Sequence, residues 1–101
     1  MENELADQLR NALHHQALPV TTETCGDVDS LRSTSPDLVF SGFTADLTNL
    51  LNAVTAPVVV VTRHPEPGEY LDAMDAGAAD YCAAPFEPSH LNWILQRGRR
   101  P

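Results

Sequence analysis

The sequence predicts an α/β protein, a three-layer sandwich with a four-stranded parallel sheet at its centre. Three observations predict it. Short apolar runs alternate with helical periodicities, and that alternation builds parallel sheets through right-handed crossovers. The run Val58-Val59-Val60-Val61 has no polar member, as expected of a strand covered by helices on both faces. Pro or Gly marks most of the junctions between segments, among them Pro19, Gly26, Pro36, Gly42, Pro57, Gly77 and Gly98.

Taken in order, Leu5, Leu9, Ala12 and Leu13 recur at helical spacing and predict an amphipathic helix over 3–16. Val20 to Thr24 is β-branched and half polar, which suits a strand near an edge. Gly26 ends it, and Asp27 is placed to cap a short helix reaching Ser33. Leu38-Val39-Phe40-Ser41 reads as a strand opened by Pro36 and closed by Gly42. Thr44 or Asp46 caps a helix that runs through Leu47, Leu50 and Leu51 to Val54. After the valine strand, Tyr70, Leu71 and Met74 belong to a helix over 68–76, with Gly77 as its C-cap. Ala79 to Ala83 is the last strand. Pro85 and Pro88 bracket a loop, and Leu91, Ile94 and Leu95 mark a final helix ended by Gly98. Parallel sheets bind ligands at the carboxyl ends of their strands. The loops to inspect are therefore 41–46, 62–68 and 83–87.

The chain has 101 residues, 43% hydrophobic and 20% charged, which is one domain with one core. We assign 1–97 to that domain and 98–101 to an Arg-rich tail or the start of a linker. No apolar run has the roughly 18–20 residues that cross a bilayer. The start carries Glu2, Glu4 and Asp7 and is not a secretory signal, so a cytoplasmic location is expected. The net charge of −8 argues against nucleic acid as a partner, because phosphate contacts need clustered cations. All six basic residues are arginines, and there is no lysine. Cys25 and Cys82 have no metal-site spacing and are expected as reduced thiols.

The inspected loops carry a resemblance. The segment 36–42, Pro-Asp-Leu-Val-Phe-Ser-Gly, is similar to the strand of response-regulator receiver domains that ends in the phospho-accepting aspartate. The segment 57–62, Pro-Val-Val-Val-Val-Thr, resembles that family's fourth strand, which ends in a switch Thr or Ser. Ala76 to Phe86 resembles the family's last strand and the lysine-proline loop after it. The helix 3–16 and the strand after it also match in register, so the resemblance covers essentially the whole chain. It implies a flavodoxin-like, receiver-type fold. No counterpart of the family's first strand stands ahead of the first helix in this sequence; either 20–24 pairs directly with 38–41 in a four-stranded sheet, which is the expectation, or another chain or an upstream segment supplies the gap.

The departures from the family pattern bear on function. Receiver chemistry, as the resemblance implies, needs an aspartate nucleophile, an acidic pair holding Mg²⁺, a Thr or Ser, and a lysine. The metal and the lysine neutralise charge as a phosphoryl group meets a carboxylate. Here the nucleophile position is Gly42 and the lysine position is Ala84. Glu2 alone falls near the place of the acidic pair, while Thr62 and Tyr81 keep the switch positions. Arg63 replaces a small residue, and we expect it to project over the pocket and pair with Glu2 or Asp46, or to receive an anion. The resemblance is therefore to a degenerate receiver, a pseudo-receiver, and no Mg²⁺ or other cofactor is expected.

Other candidates have plainer readings. Ser41 and Thr44 are strand-end and helix-cap hydroxyls rather than phosphorylation sites. His14 and His15 suit the negative end of the first helix. His64 and His90 stand singly, so no metal site is expected. No nucleophile elbow, phosphate loop or zinc-protease motif occurs, so no enzyme activity is expected. Trp93 lies about 200° around the last helix from Leu91. It either presents its ring as an interface anchor or folds back over the core. The expected function is phosphorylation-independent protein interaction in bacterial-type two-component signalling or transcription control. A protein partner or second copy would dock through Tyr70, Tyr81, His90 and Trp93. The alternative is a sensor of a small anion or ligand in the pocket around Gly42, Thr62, Arg63, Ala84 and Glu2.

Overall fold

A computed structural model of the chain describes residues 3–16, 22, 28–34, 36–43 and 47–98. The elements are α1 (Asn3–His14), α2 (Val28–Thr34), β1 (Val39–Gly42), α3 (Leu47–Ala53), β2 (Val58–Thr62), α4 (Pro67–Ala76), β3 (Asp80–Ala83) and α5 (Pro88–Gly98). The described strands form one parallel sheet in the order β1-β2-β3. Val39 stands opposite Val58, and Val59 opposite Asp80. Three parallel strands are thus in place. The expected strand at 20–24 lies outside the described residues except for Thr22, whose hydroxyl is 3.2 Å from His14 Nε2 at the end of α1.

The strand periodicity of two divides the core. One face of the sheet presents Val59, Val61 and Cys82 to Leu5, Leu9 and Leu13 of α1 and to Leu91 and Ile94 of α5. The other presents Val39, Val58 and Val60 to Leu47 of α3 and Ala73 of α4, with Leu31 of α2 packed alongside. All four valines of β2 are at most 1% exposed, which is the two-faced burial that their unbroken apolar run requires.

The sequence also explains the element ends. Pro67 opens α4, where its missing N–H costs nothing. Gly77 closes α4 in the left-handed region, at φ 114°. There its N–H donates to the Met74 carbonyl and Ala78 N–H donates to the Ala73 carbonyl, both at 3.1 Å, which satisfies the last turn. This helix starts one residue before its expected 68–76, and the last strand begins at Asp80 rather than Ala79. The Ala84–Pro85 peptide is cis.

Candidate functional site

The parallel register brings the carboxyl ends of the three strands into one row. Gly42 stands opposite Val61, and Thr62 opposite Ala83. Ala84 N–H donates to the Thr62 carbonyl at 2.9 Å, so Ala84 follows directly on that row. The structure therefore assembles Gly42, Thr62, Arg63 and Ala84 around one end of the sheet, whereas Glu2 lies outside the described residues.

Arg63 does not end in solvent. Its Nε and Nη2 are shielded, and Nη2 lies 3.6 Å from Glu4 Oε2 on the first turn of α1. Glu4 was not among the partners expected for Arg63, and Asp46 and Glu2 lie outside the described residues. The sequence offered one clue to this contact, namely an acid in the first turn of a helix that starts beside the strand ends.

Thr62 and Tyr81 form a second cluster. Thr62 Oγ1 accepts from His64 N–H at 3.2 Å. The Tyr81 hydroxyl donates to Glu69 Oε1 at 3.0 Å and accepts from Glu66 N–H at 3.4 Å. Burial pushes the Tyr81 phenol above its ordinary value, and the Glu69 carboxylate adds to that, while the Glu66 amide and the Thr62 hydroxyl pull the other way. What this end of the sheet holds is a glycine, an alanine, a hydroxyl and a salt-bridged arginine. Neither Gly42 nor Ala84 has a side chain that can accept a phosphoryl group or neutralise one. Among the described residues, no three His, Cys, Asp or Glu side chains are grouped so as to hold a metal ion.

The four residues expected at an interface form two ring pairs on β3 and its flanking helices. Tyr70 of α4 meets Tyr81 edge-on, with centroids 5.6 Å apart and planes at 84°. His90 and Trp93 of α5 lie 6.4 Å apart at 39°. Asp80 joins the two pairs. Its Oδ1 accepts from Tyr81 N–H at 2.7 Å, and its Oδ2 lies 3.2 Å from His90 Nε2. His90 Nδ1 in turn faces Cys82 Sγ at 3.8 Å. Trp93 is 50% exposed, and the Arg97 guanidinium lies 4.5 Å over its ring. Beside the ring is a shallow cleft of about 100 Å³ with Leu38, Pro57, Val59 and Ile94 in its walls.

Sequence reading missed Asp80, Cys82 and Arg97. Two local spacings point to them. Asp80 and Cys82 are two apart on a strand and share a face. Trp93 and Arg97 are four apart on a helix and stack.

Solved structures provide the comparison for this arrangement. The receiver domain of NtrX from Brucella abortus superposes with a TM-score of 0.78, covering 96% of this chain and 91% of that one at 22% identity. This is the receiver fold. A CheY-like protein, TadZ, from Pseudomonas aeruginosa PAO1 matches at a TM-score of 0.70 and 22% identity, covering 100% of this chain and 91% of the other. A two-component response regulator from Clostridium difficile matches at 0.72 and 20% identity, over 96% and 88%. No protein-family model matches the chain, and no curated protein matches it in sequence. Identity at this level carries the fold alone, so function is argued from the residues. Among the described residues, no helix is long and apolar enough to cross a membrane.

Proposed function

We propose that the chain is a pseudo-receiver, a phosphorylation-independent interaction module of cytoplasmic two-component-type signalling or transcription control. A protein partner or a second copy docks on the face built by α5 and β3. The reading takes a strand over 20–24, beside β1, as the fourth strand of the sheet. One observation carries it above the others. Trp93 is half exposed on the outer side of α5, braced by His90 and Arg97 at the mouth of an apolar cleft. Exposed tryptophans next to apolar clefts are favoured anchors, because one ring covers much area at little entropic cost. The glycine and alanine at positions 42 and 84 support independence from phosphorylation. An anion sensor built on Arg63 draws less support, because that guanidinium already reaches Glu4.

Sedimentation velocity over a concentration series tests the docking face. The expected result is association, with itself or with an added partner, that Trp93→Ala removes while the circular dichroism spectrum stays unchanged. Association that survives Trp93→Ala, or no association with any candidate, overturns the reading. Titration of the same protein with Mg²⁺ and beryllofluoride, a phosphoryl mimic, should leave the amide resonances of Gly42, Thr62 and Tyr81 in place. Saturable shifts there would favour the anion sensor instead.

A further inference from the structure

Parallel sheets generally bind ligands at the carboxyl ends of their strands. The cleft beside Trp93 lies at the opposite end. Leu38, Pro57 and Ala79 in its walls stand just ahead of β1, β2 and β3. Val59 adds to the walls, and Trp93, Ile94 and Arg97 of α5 complete them. The cleft is therefore separate from the row of strand ends that holds Gly42 and Thr62.

Arg97 gives this cleft a chemistry. Its guanidinium lies over the Trp93 ring at 4.5 Å. A cation–π contact of this kind holds the group in place and leaves its N–H donors available to an acceptor. Arg97 has no ion-pair partner among the described residues, whereas Arg10 meets Asp7 and Arg63 meets Glu4. The carboxylate that borders the cleft is already engaged. Asp80 Oδ1 accepts from Tyr81 N–H at 2.7 Å, and Oδ2 lies 3.2 Å from His90 Nε2. The acidic balance of the whole chain also reverses toward its end. Three of the six arginines are Arg97, Arg99 and Arg100, and no Asp or Glu follows Glu87.

We infer that this cleft is a binding site for a small aliphatic carboxylate. The apolar body lies among Leu38, Pro57, Val59 and Ile94 against the indole. The carboxylate takes the fork of the Arg97 guanidinium in two parallel N–H···O bonds. Volume sets the size of the body. An enclosed cavity of about 150 Å³ holds benzene. A cleft of about 100 Å³ takes a shorter body, of about four or five carbons. This ligand site goes beyond the docking reading and does not depend on it.

The probe is isocaproate, a branched short-chain carboxylate, titrated into the ¹⁵N-labelled full chain at constant ionic strength. Saturable shifts are expected for the Trp93 indole N–H and for the amides of Leu38, Ala79 and Asp80, with a millimolar dissociation constant. Isocaproamide, the same body without the charge, should bind at least about ten-fold more weakly, and so should acetate, the charge without the body. These two comparisons need no variant. Arg97→Gln should weaken isocaproate binding about ten-fold. Ala79→Leu fills the cleft and should abolish binding. Arg97 and Ala79 are both exposed, so these variants should keep the native spectrum.

Equal binding of the amide would remove the guanidinium from recognition and overturn the inference. Equal binding by Ala79→Leu would place the ligand elsewhere, as would shifts at Gly42, Thr62 and Arg63 instead. A drift that does not saturate would mean no site at all. Any of these failures with Trp93-dependent association intact leaves the docking reading standing. Saturable binding without association removes that reading and leaves this one.

Discussion

The Cys82 thiol is 2% exposed in the core cluster that holds Leu91, Ile94 and the three leucines of α1. Burial, and then the negative charge of Asp80, pushes it up to about 11 from an ordinary value near 9. Such a shift keeps the thiol protonated at neutral pH, with His90 Nδ1 at 3.8 Å and Asp80 beyond it. The shift also has a consequence for stability. Below about pH 9 both folded and unfolded chains hold the proton, and the thiol favours neither state. Between about 9 and 11 the unfolded chain releases it and the folded chain does not, so stability falls as pH rises through that window. A gap of two pKa units corresponds to about 3 kcal/mol. In a Cys25→Ser background, the urea midpoint should fall between pH 9 and 11, and a further Cys82→Ala should flatten that part of the fall. The raised Tyr81 phenol acts in the same direction at higher pH, so the comparison of variants, rather than the fall itself, isolates the thiol. An unchanged pH profile in Cys82→Ala would remove this account.

Helix α5 separates packing from presentation within three residues. Leu91 is fully buried and Ile94 is 3% exposed, whereas Trp93 between them is half exposed. That division was legible in the sequence, because apolar residues at helical spacing define one stripe and Trp93 falls off it. Whether the ring would lie back on the core was not legible, because Arg97 settles it by covering one face of the indole. Leu91→Ala should therefore cost about 2–5 kcal/mol, since it leaves a cavity in a close-packed cluster. Trp93→Ala should cost less than about 1 kcal/mol, since it removes a solvated ring and one cation–π contact. Urea denaturation of the two variants measures both. Equal losses would mean that Trp93 is core and cannot serve as a free anchor.

At the scale of the whole molecule, the layer order was legible because it depends on local signals. These are the unbroken valines of β2, the αL glycine at 77 and the periodicities of α1 and α5. The register of the carboxyl ends goes with it, and it sets Gly42 opposite Val61 and Thr62 opposite Ala83. What could not be read were contacts between residues far apart in sequence whose partners are not unique, as with Arg63, which meets Glu4 out of fourteen acids. That surplus of acids sets the last prediction. Fourteen carboxylates against six arginines repel one another in the compact state, and short ion pairs such as Arg63–Glu4 and Arg10–Asp7 oppose this. Both pairs are at least partly exposed, and such pairs contribute less than about 1 kcal/mol each. Raising ionic strength from about 0.01 M to 0.15 M shortens the screening length from about 30 Å to 8 Å. Long-range repulsion then weakens more than contacts at 3.4 to 3.6 Å do. The melting temperature should rise by several degrees over this range, about 4–8 °C for each kcal/mol of repulsion removed. A fall in melting temperature would mean that short ion pairs outweigh net charge in this fold.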